Sequence, residues 1–124
     1  VAQGEQYDCF VRNDTRMPFM VMPDAIVAIL NLMDVEKYQL SQHVYNIVAF
    51  NPSVGEFADK VKEYFPHAKI GISINGKRQG MADSWPADVD DSAARCHWSW
   101  SPEFDLDSAF ENYLIPQITQ RYEK

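Results

Sequence analysis

The sequence is short of nearly every feature that announces a chemistry. Its glycines are Gly4, Gly55, Gly71, Gly76 and Gly80, and no two stand two positions apart. A dinucleotide site needs glycines at G-x-G-x-x-G so that backbone can approach a pyrophosphate, and this spacing does not occur. The full G-x-x-x-x-G-K-[S/T] phosphate loop is absent as well, because Gly71 to Lys77 fit its first part but Arg78 stands where it needs serine or threonine, and no G-x-S-x-G nucleophile turn occurs. No tyrosine is followed four positions later by lysine, so a hydroxyl-deprotonating pair of that kind is missing too. His43, His67 and His97 lie scattered without ligand spacing, which leaves a metal site unsupported. Cys9 and Cys96 are the two cysteines and form no C-x-x-C pair, so both are expected as buried free thiols of a reducing compartment. No apolar run approaches the ~20 residues of a membrane span, and the N-terminus carries no signal peptide pattern. Lys and Arg total 11 against 18 Asp and Glu, a formal net charge of -7 that repels nucleic acid and anionic membrane surfaces. The start at Val1 rather than methionine hints at a fragment or a processed product.

What is present is a globular composition. With 46% hydrophobic and 13% aromatic residues in 124, the chain can build one ordinary domain, and no repeat or internal boundary divides it. Tyr7 to Arg12 alternates as a short strand, and Phe19 to Met22 is a continuous apolar run expected as a strand buried on both faces. Pro23 and Asp24 open a helix through Met33, proline being tolerated in a first turn and aspartate suiting the positive end of the helix dipole. Residues Ala25 to Leu30 are apolar almost all round, and such a helix expects protein on more than one side. Tyr45 to Phe50 reads as a further strand.

Ser53 and Glu56 form a capping box after Pro52. They open an amphipathic helix with Val54, Phe57, Ala58, Val61 and Phe65 on one stripe, stopped by Pro66. Ile70, Ile72 and Ile74 alternate as a strand ending at Asn75-Gly76, a turn signal that makes it a possible hairpin arm. Lys77 to Asp91 is irregular and polar. Ser92 to Trp98 follows an Asp90-Asp91 cap as a short helix, and Trp98, Trp100 and Pro102 form an aromatic turn. Asp105 caps a last helix with Leu106, Ala109, Phe110 and Tyr113 on one face. Pro116 must kink or break that helix between Asn112 and Ile115. The tail from Arg121 to Lys124 is expected to fray. Alternating strands and helices give a mixed α/β class. Three or four short strands cannot complete a doubly wound sheet, so the pattern reads as a piece of a larger domain.

Two stretches go further. Asp14-Thr-Arg-Met-Pro-Phe-Met-Val-Met-Pro-Asp-Ala-Ile26 resembles the D-T-R-x-P-x-M-x-M-P-D-A-I segment of short-chain-type L-threonine 3-dehydrogenases. Arg78-Gln-Gly-Met-Ala-Asp-Ser-Trp-Pro-Ala-Asp-Val-Asp-Asp-Ser-Ala-Ala-Arg95 resembles that family's R-Q-x-x-A-D-S-W-P-x-x-x-D-D-S-x-A-R. Tyr45-Asn46-Ile47 with the Ser53 helix is similar to an element shared by extended short-chain dehydrogenases and sugar-nucleotide epimerases. Trp98-Ser-Trp100 with Asp105-Leu106 is similar to the family's ending. The resemblance runs from about Tyr7 to Leu114, and the Asp83-Ser-Trp-Pro run with Asp90-Asp-Ser is its specific part.

The resemblance implies that residues 1–124 are the mixed α/β C-terminal substrate-binding part of an extended short-chain dehydrogenase, an incomplete Rossmann half. NAD and a Ser/Thr–Tyr–Lys set would then belong to an N-terminal Rossmann part outside this sequence. The reaction implied is oxidation of the L-threonine β-hydroxyl to 2-amino-3-ketobutyrate. The implied partners are L-threonine, the Rossmann half and further copies of the subunit, with no nucleic acid or membrane. The implied compartment is the cytoplasm, or the mitochondrion in a eukaryote. No catalytic, cofactor-binding or metal-binding residue is expected in this chain itself.

Three residues are candidates for contact with substrate. The resemblance places a pocket tryptophan at Trp85, whose ring could face the methyl group of threonine; a loop anchor to the core is the other reading. Arg78 stands where the wider superfamily has an arginine near nucleotide phosphates, and a salt bridge with the carboxylates of 83–91 is the preferred alternative. Arg16 falls beside the cleft-facing loop, where Thr15-Arg16-Met17-Pro18 departs from the Arg-Asp-Phe of sugar-nucleotide epimerases. Asp83, Asp90 and Asp91 read as capping and loop-fixing groups rather than paired catalytic or metal-binding carboxylates. Trp98, Trp100, Phe104 and Phe110 read as core.

Overall fold

Strand pairing is confined to two short stretches of a computed structural model that describes residues 1–122. Tyr7–Cys9 (β1) and Ile70–Ile72 (β2) run parallel, with Asp8 opposite Gly71 and Cys9 opposite Ile72. A parallel pair needs a long crossover, and everything between the two strands supplies it. A Cβ at Gly71 would fall against the Asp8 carboxylate, which would have to turn aside. β1 is shorter than its sequence pattern. Beyond it, Ser73 N donates to Cys9 O and Asn75 N to Phe10 O, after which Arg12 N turns to a side chain instead.

The other two expected strands do not form. Phe19 and Phe50 make one isolated antiparallel bridge, and Met22 already belongs to a helix. Phe19 is exposed rather than buried on both faces. Tyr45 spends its ring on packing, edge-on to Trp98 at 6.0 Å and to His97 at 5.6 Å. Strand propensity there loses to tertiary packing because no neighbouring strand is available to pair with.

Met22–Asp34 (α1) starts with proline in its first turn, as expected. Asp24, 2% exposed, does more than face a dipole: its two carboxylate oxygens accept the backbone N–H groups of Glu103 (2.9 Å) and Phe104 (3.2 Å). Ala28 follows it inward, while Met22, Ile26, Ile29, Leu30 and Met33 stand exposed on another face. This chain therefore covers only one side of a helix that is apolar on two.

Val54–Tyr64 (α2) keeps both bonds of its capping box, Glu56 N to Ser53 Oγ (3.1 Å) and Ser53 N to Glu56 Oε2 (2.8 Å). The expected Asn75-Gly76 hairpin turn is a helix start: Asn75 Oδ1 accepts from Arg78 N, opening Gly76–Asp83 (α3) inside the stretch read as irregular. Asn serves both as a turn residue and as an N-cap, and Gly80 lowers helix propensity enough to hide the helix from its sequence.

Ser92–Trp98 (α4) ends on Ser99 in the left-handed region, φ 56, which lets Trp100 N reach Ala94 O at 3.2 Å. That reversal lays Trp100 beside Trp98, ring centroids 5.8 Å apart, in a core with Ala28 and Ala94. Both indole N–H groups are enclosed without a hydrogen-bond partner. Ring burial, on the order of 3 kcal/mol for such a side chain, has to outweigh that cost.

Leu106–Ala109 (α5) is capped by Asp105 and passes into a π-helical turn, Phe110–Leu114, then Ile115–Tyr122 (α6). The wide turn is how Pro116 is accommodated without a break, since its ring would press on the Asn112 carbonyl of a regular helix. Arg121 and Tyr122 close α6 rather than fraying; Glu123 and Lys124 lie outside the described residues. Cys9 is buried and free as expected, but Cys96 is free and exposed.

Candidate functional site

Trp85 comes directly after α3. Ser84 N and Oγ both donate to Met81 O, and Trp85 N donates to Ala82 O at 3.1 Å, closing the helix end. The indole then stands 56% exposed. The chain on either side of it, by contrast, is held by polar contacts, upstream from Arg12 and downstream from Asn51.

On the upstream side, Asp83 takes a two-pronged contact from Arg12, Nη2 to Oδ1 at 2.8 Å and Nη1 to Oδ2 at 3.2 Å. Gln79, only 5% exposed, uses its whole amide: Oε1 accepts from Arg12 N (2.7 Å), and Nε2 donates to Asp83 Oδ1 (2.7 Å) and Thr15 Oγ1 (3.2 Å). On the downstream side, Asn51 Nδ2 donates to Ala87 O at 3.3 Å, while Asn51 O accepts from Arg16 Nη1 at 2.9 Å. Arg16 in turn forks onto both oxygens of Glu56, at 2.9 and 2.7 Å. The first turn of α2 is pressed against the segment between Arg12 and Arg16: Val54 N donates to Thr15 O and Gly55 N to Asn13 O. A Cβ at residue 55 would meet the end of the Asn13 side chain at 2.6 Å, so a larger residue would push that side chain aside.

The same contacts set the electrostatics. Hydrogen bonding from Arg12, then from Gln79, holds the Asp83 carboxyl below its ordinary value, and hydrogen bonding from Arg16 does the same for Glu56. The two guanidinium groups are raised by the same bonds. All four are at the surface, so these pairs orient the loop more than they stabilise the fold.

The structure thus separates the three candidates from sequence. Trp85 is exposed and framed. Arg16 is committed to Glu56 and Asn51 and supports the loop instead of presenting a free cation. Arg78 makes no described ion pair with the carboxylates of 83–91, a correction to the preferred reading: Asp83 belongs to Arg12, and Arg78 lies 4.5 Å over the Phe10 ring. Asp90 accepts from Ser92 N and Asp91 from Arg95 Nε, which are local fixing contacts. Sequence reading did not single out Arg12, Asn51 or Gln79. Gln79 and Asp83 stand at i, i+4, a pairing that becomes visible only once α3 is recognised as a helix.

Tyr45 and His97 are 2.8 Å apart, and Ser41 Oγ is 3.5 and 3.4 Å from the two His97 ring nitrogens. Near-equal distances to both nitrogens put the hydroxyl off either lone-pair direction, a poor geometry for a general base. A cavity of about 440 Å³ lies elsewhere, lined by Tyr7, Phe57, Phe65, Ile70, Phe110 and Ile118 among others, and it includes none of Trp85, Arg78 and Arg16. Its walls carry no charged side chain, so it offers nothing to the ammonium and carboxylate of an amino acid. Among the described residues, no cluster of three His, Cys, Asp or Glu could hold a metal ion, and no helix is long and apolar enough to cross a membrane.

Comparison with known proteins gives the context of this loop. The mitochondrial L-threonine 3-dehydrogenase of Bos taurus is 37% identical over 101 residues, which is 82% of this chain and 27% of the bovine protein. The crystal structure of L-threonine dehydrogenase from Phytophthora infestans superposes with a TM-score of 0.85 at 34% identity, over 93% of this chain and 37% of that one. The chain matches the C-terminal portion of the L-threonine 3-dehydrogenase and epimerase/dehydratase superfamily. An uncharacterised epimerase/dehydratase of Staphylococcus saprophyticus is 36% identical over 114 residues, 91% of this chain and 35% of that protein. The chain therefore spans about a third of the length of the curated relatives it matches. No protein-family model matches it. Among superfamily features, a dinucleotide cradle has no counterpart in the described residues. β2 does lead through Asn75-Gly76 into the start of α3, but that turn holds a single glycine and is followed by Lys77-Arg78 rather than Lys-Ser or Lys-Thr, and Gly4, at φ 80, has open space beside it.

Proposed function

We propose that this chain is the substrate-side part of an NAD-dependent L-threonine 3-dehydrogenase, the whole protein oxidising L-threonine to 2-amino-3-ketobutyrate. The observation that carries the reading is Trp85: a large aromatic ring left exposed on a loop whose backbone is fixed from both sides, within the Asp83-Ser-Trp-Pro run. A rigidly presented ring suits a wall against the threonine methyl group, excluding water from the reacting face. Arg78, with its cation over Phe10, stands one helix length away and is the remaining candidate for an anionic group of a ligand. Because the residues present do not form a dinucleotide cradle, NAD and the proton-accepting tyrosine are assigned to an N-terminal Rossmann part. The exposed face of α1 is the surface proposed to pack against it. Residues 1–124 alone are accordingly inactive and bind NAD weakly or not at all, which isothermal calorimetry tests. Further copies of the subunit are proposed as partners, with location in the cytoplasm or, in a eukaryote, the mitochondrion.

A second reading, part of a sugar-nucleotide epimerase or dehydratase, draws on the staphylococcal relative. Thr15-Arg16-Met17-Pro18 speaks against it, as does the commitment of Arg16 to Glu56. Turnover by the full-length protein decides between them. NAD reduction with L-threonine and none with a UDP-sugar is the expected result; conversion of the UDP-sugar alone would reverse the assignment.

A further inference from the structure

We infer that Gln79 is the positioning residue for Trp85: its buried amide locks α3 to the Arg12–Thr15 turn and so sets where the indole is presented. The effect on the loop stands on geometry alone, and the effect on substrate rests on the threonine reading proposed for this chain.

Gln79 is nearly buried although α3 is an otherwise exposed, polar helix. Each hydrogen-bonding position of its amide that faces the protein is used, and all three partners lie on one short path: the Arg12 backbone, Thr15 Oγ1 and Asp83 Oδ1. Asp83 then stands two residues before Trp85, with no apolar packing of the loop to do the same work, since residues 83 to 88 are exposed throughout. A fully used network of this kind loses its geometry when one member is removed. The arginine at the far end cannot substitute for Gln79, because Arg12 reaches Asp83 from the solvent side and its own backbone is held by Gln79.

The test uses the full-length gene product labelled with 5-fluorotryptophan. The Trp85 line is the one lost in Trp85→Phe, and the remaining tryptophan lines report on the fold. Gln79→Glu keeps the size of the side chain but sets a carboxylate against Asp83. Above neutral pH the Trp85 line should shift or broaden with the others unmoved. As pH falls toward about 5 it should return toward the wild-type position, because a glutamic acid beside another carboxylate protonates early and can donate again. Substrate binding should weaken in step: the KM for L-threonine should rise about tenfold, with kcat and the KM for NAD changing far less. If Gln79→Glu does not fold, Asp83→Asn, which breaks the Arg12 fork from the solvent side, is read by the same lines. A Trp85 line that stays put, or one that moves only together with every other tryptophan, overturns the assignment. So does a moved line with unchanged threonine KM when Trp85→Ala itself raises that KM. If the line moves but neither Gln79→Glu nor Trp85→Ala alters threonine kinetics, the positioning role stands and the threonine reading falls.

Discussion

The surroundings of Trp98 and Trp100 differ from those of Trp85 in the kind of force that fixes them. The first pair is enclosed by Ala28 and Ala94, and accepts two unpartnered indole N–H groups to stay there. Trp85 has almost no apolar cover and is located by directional polar bonds to Asp83 and Ala87. Burial is strong but tolerant of small shifts, whereas a hydrogen-bonded frame is weak in total and sensitive to angle. A molecule built this way can hold one ring for stability and another for presentation, and the two can be disturbed separately.

The largest effect should come from Trp100→Ala, which ought to cost about 3–5 kcal/mol, enough to remove most of the stability of a small domain. Urea unfolding would check it, and a loss near zero would erase the contrast between the two kinds of tryptophan. Next is Asp24→Ala, which strips the acceptor from the Glu103 and Phe104 N–H groups and should cost about 2–3 kcal/mol. Trp85→Ala should change stability by less than about 1 kcal/mol, yet raise the threonine KM of the intact protein while leaving that for NAD nearly unchanged. Equal losses in both would mean that Trp85 is not a substrate wall.

The smallest effect concerns acid. Asp83 and Glu56 are held below their ordinary values of 3.8 and 4.5, so what they contribute is fully present above those values and fades as pH falls through the lower folded values. Amide exchange at Ser84 to Ala87, corrected for intrinsic rates, should therefore quicken below about pH 4 before that of Ala94 to Trp100 does. Between about pH 5 and 8 it should be flat.

How much of this was legible in the sequence depends on the range of the interaction that decides it. α2 and the C-terminal helix were readable because Ser53, Glu56, Asp105 and Pro116 act within one or two turns of themselves. Asn75-Gly76 misled because the same two residues serve a turn and a helix start, and only the path of the chain beyond Gly76 distinguishes them. Tyr45 to Phe50 misled because strand propensity needs a partner strand, and the nearest aromatic neighbours, His97 and Trp98, claimed Tyr45 first. The candidate loop was legible as a motif but not as a mechanism. Trp85 was visible, whereas the contacts that fix it join residues far apart in the chain, Arg12 with Asp83 and Asn51 with Ala87. Arg16 was visible too, but not its contacts with Asn51 and Glu56, which lie 35 and 40 residues away along the chain.

The π-helical turn between Phe110 and Leu114 carries a last consequence. It inserts the equivalent of one residue into the register, so that Ile115 N reaches back to Phe110 O. Rewinding that turn as ordinary α-helix at unchanged chain length would rotate everything downstream by about 100° around the axis. Ile115 and Ile118, which now complete the wall of the apolar cavity beside Phe110, would swing toward water. The winding of that one turn thus sets which side of the final helix faces the cavity, and Pro116 follows directly after it.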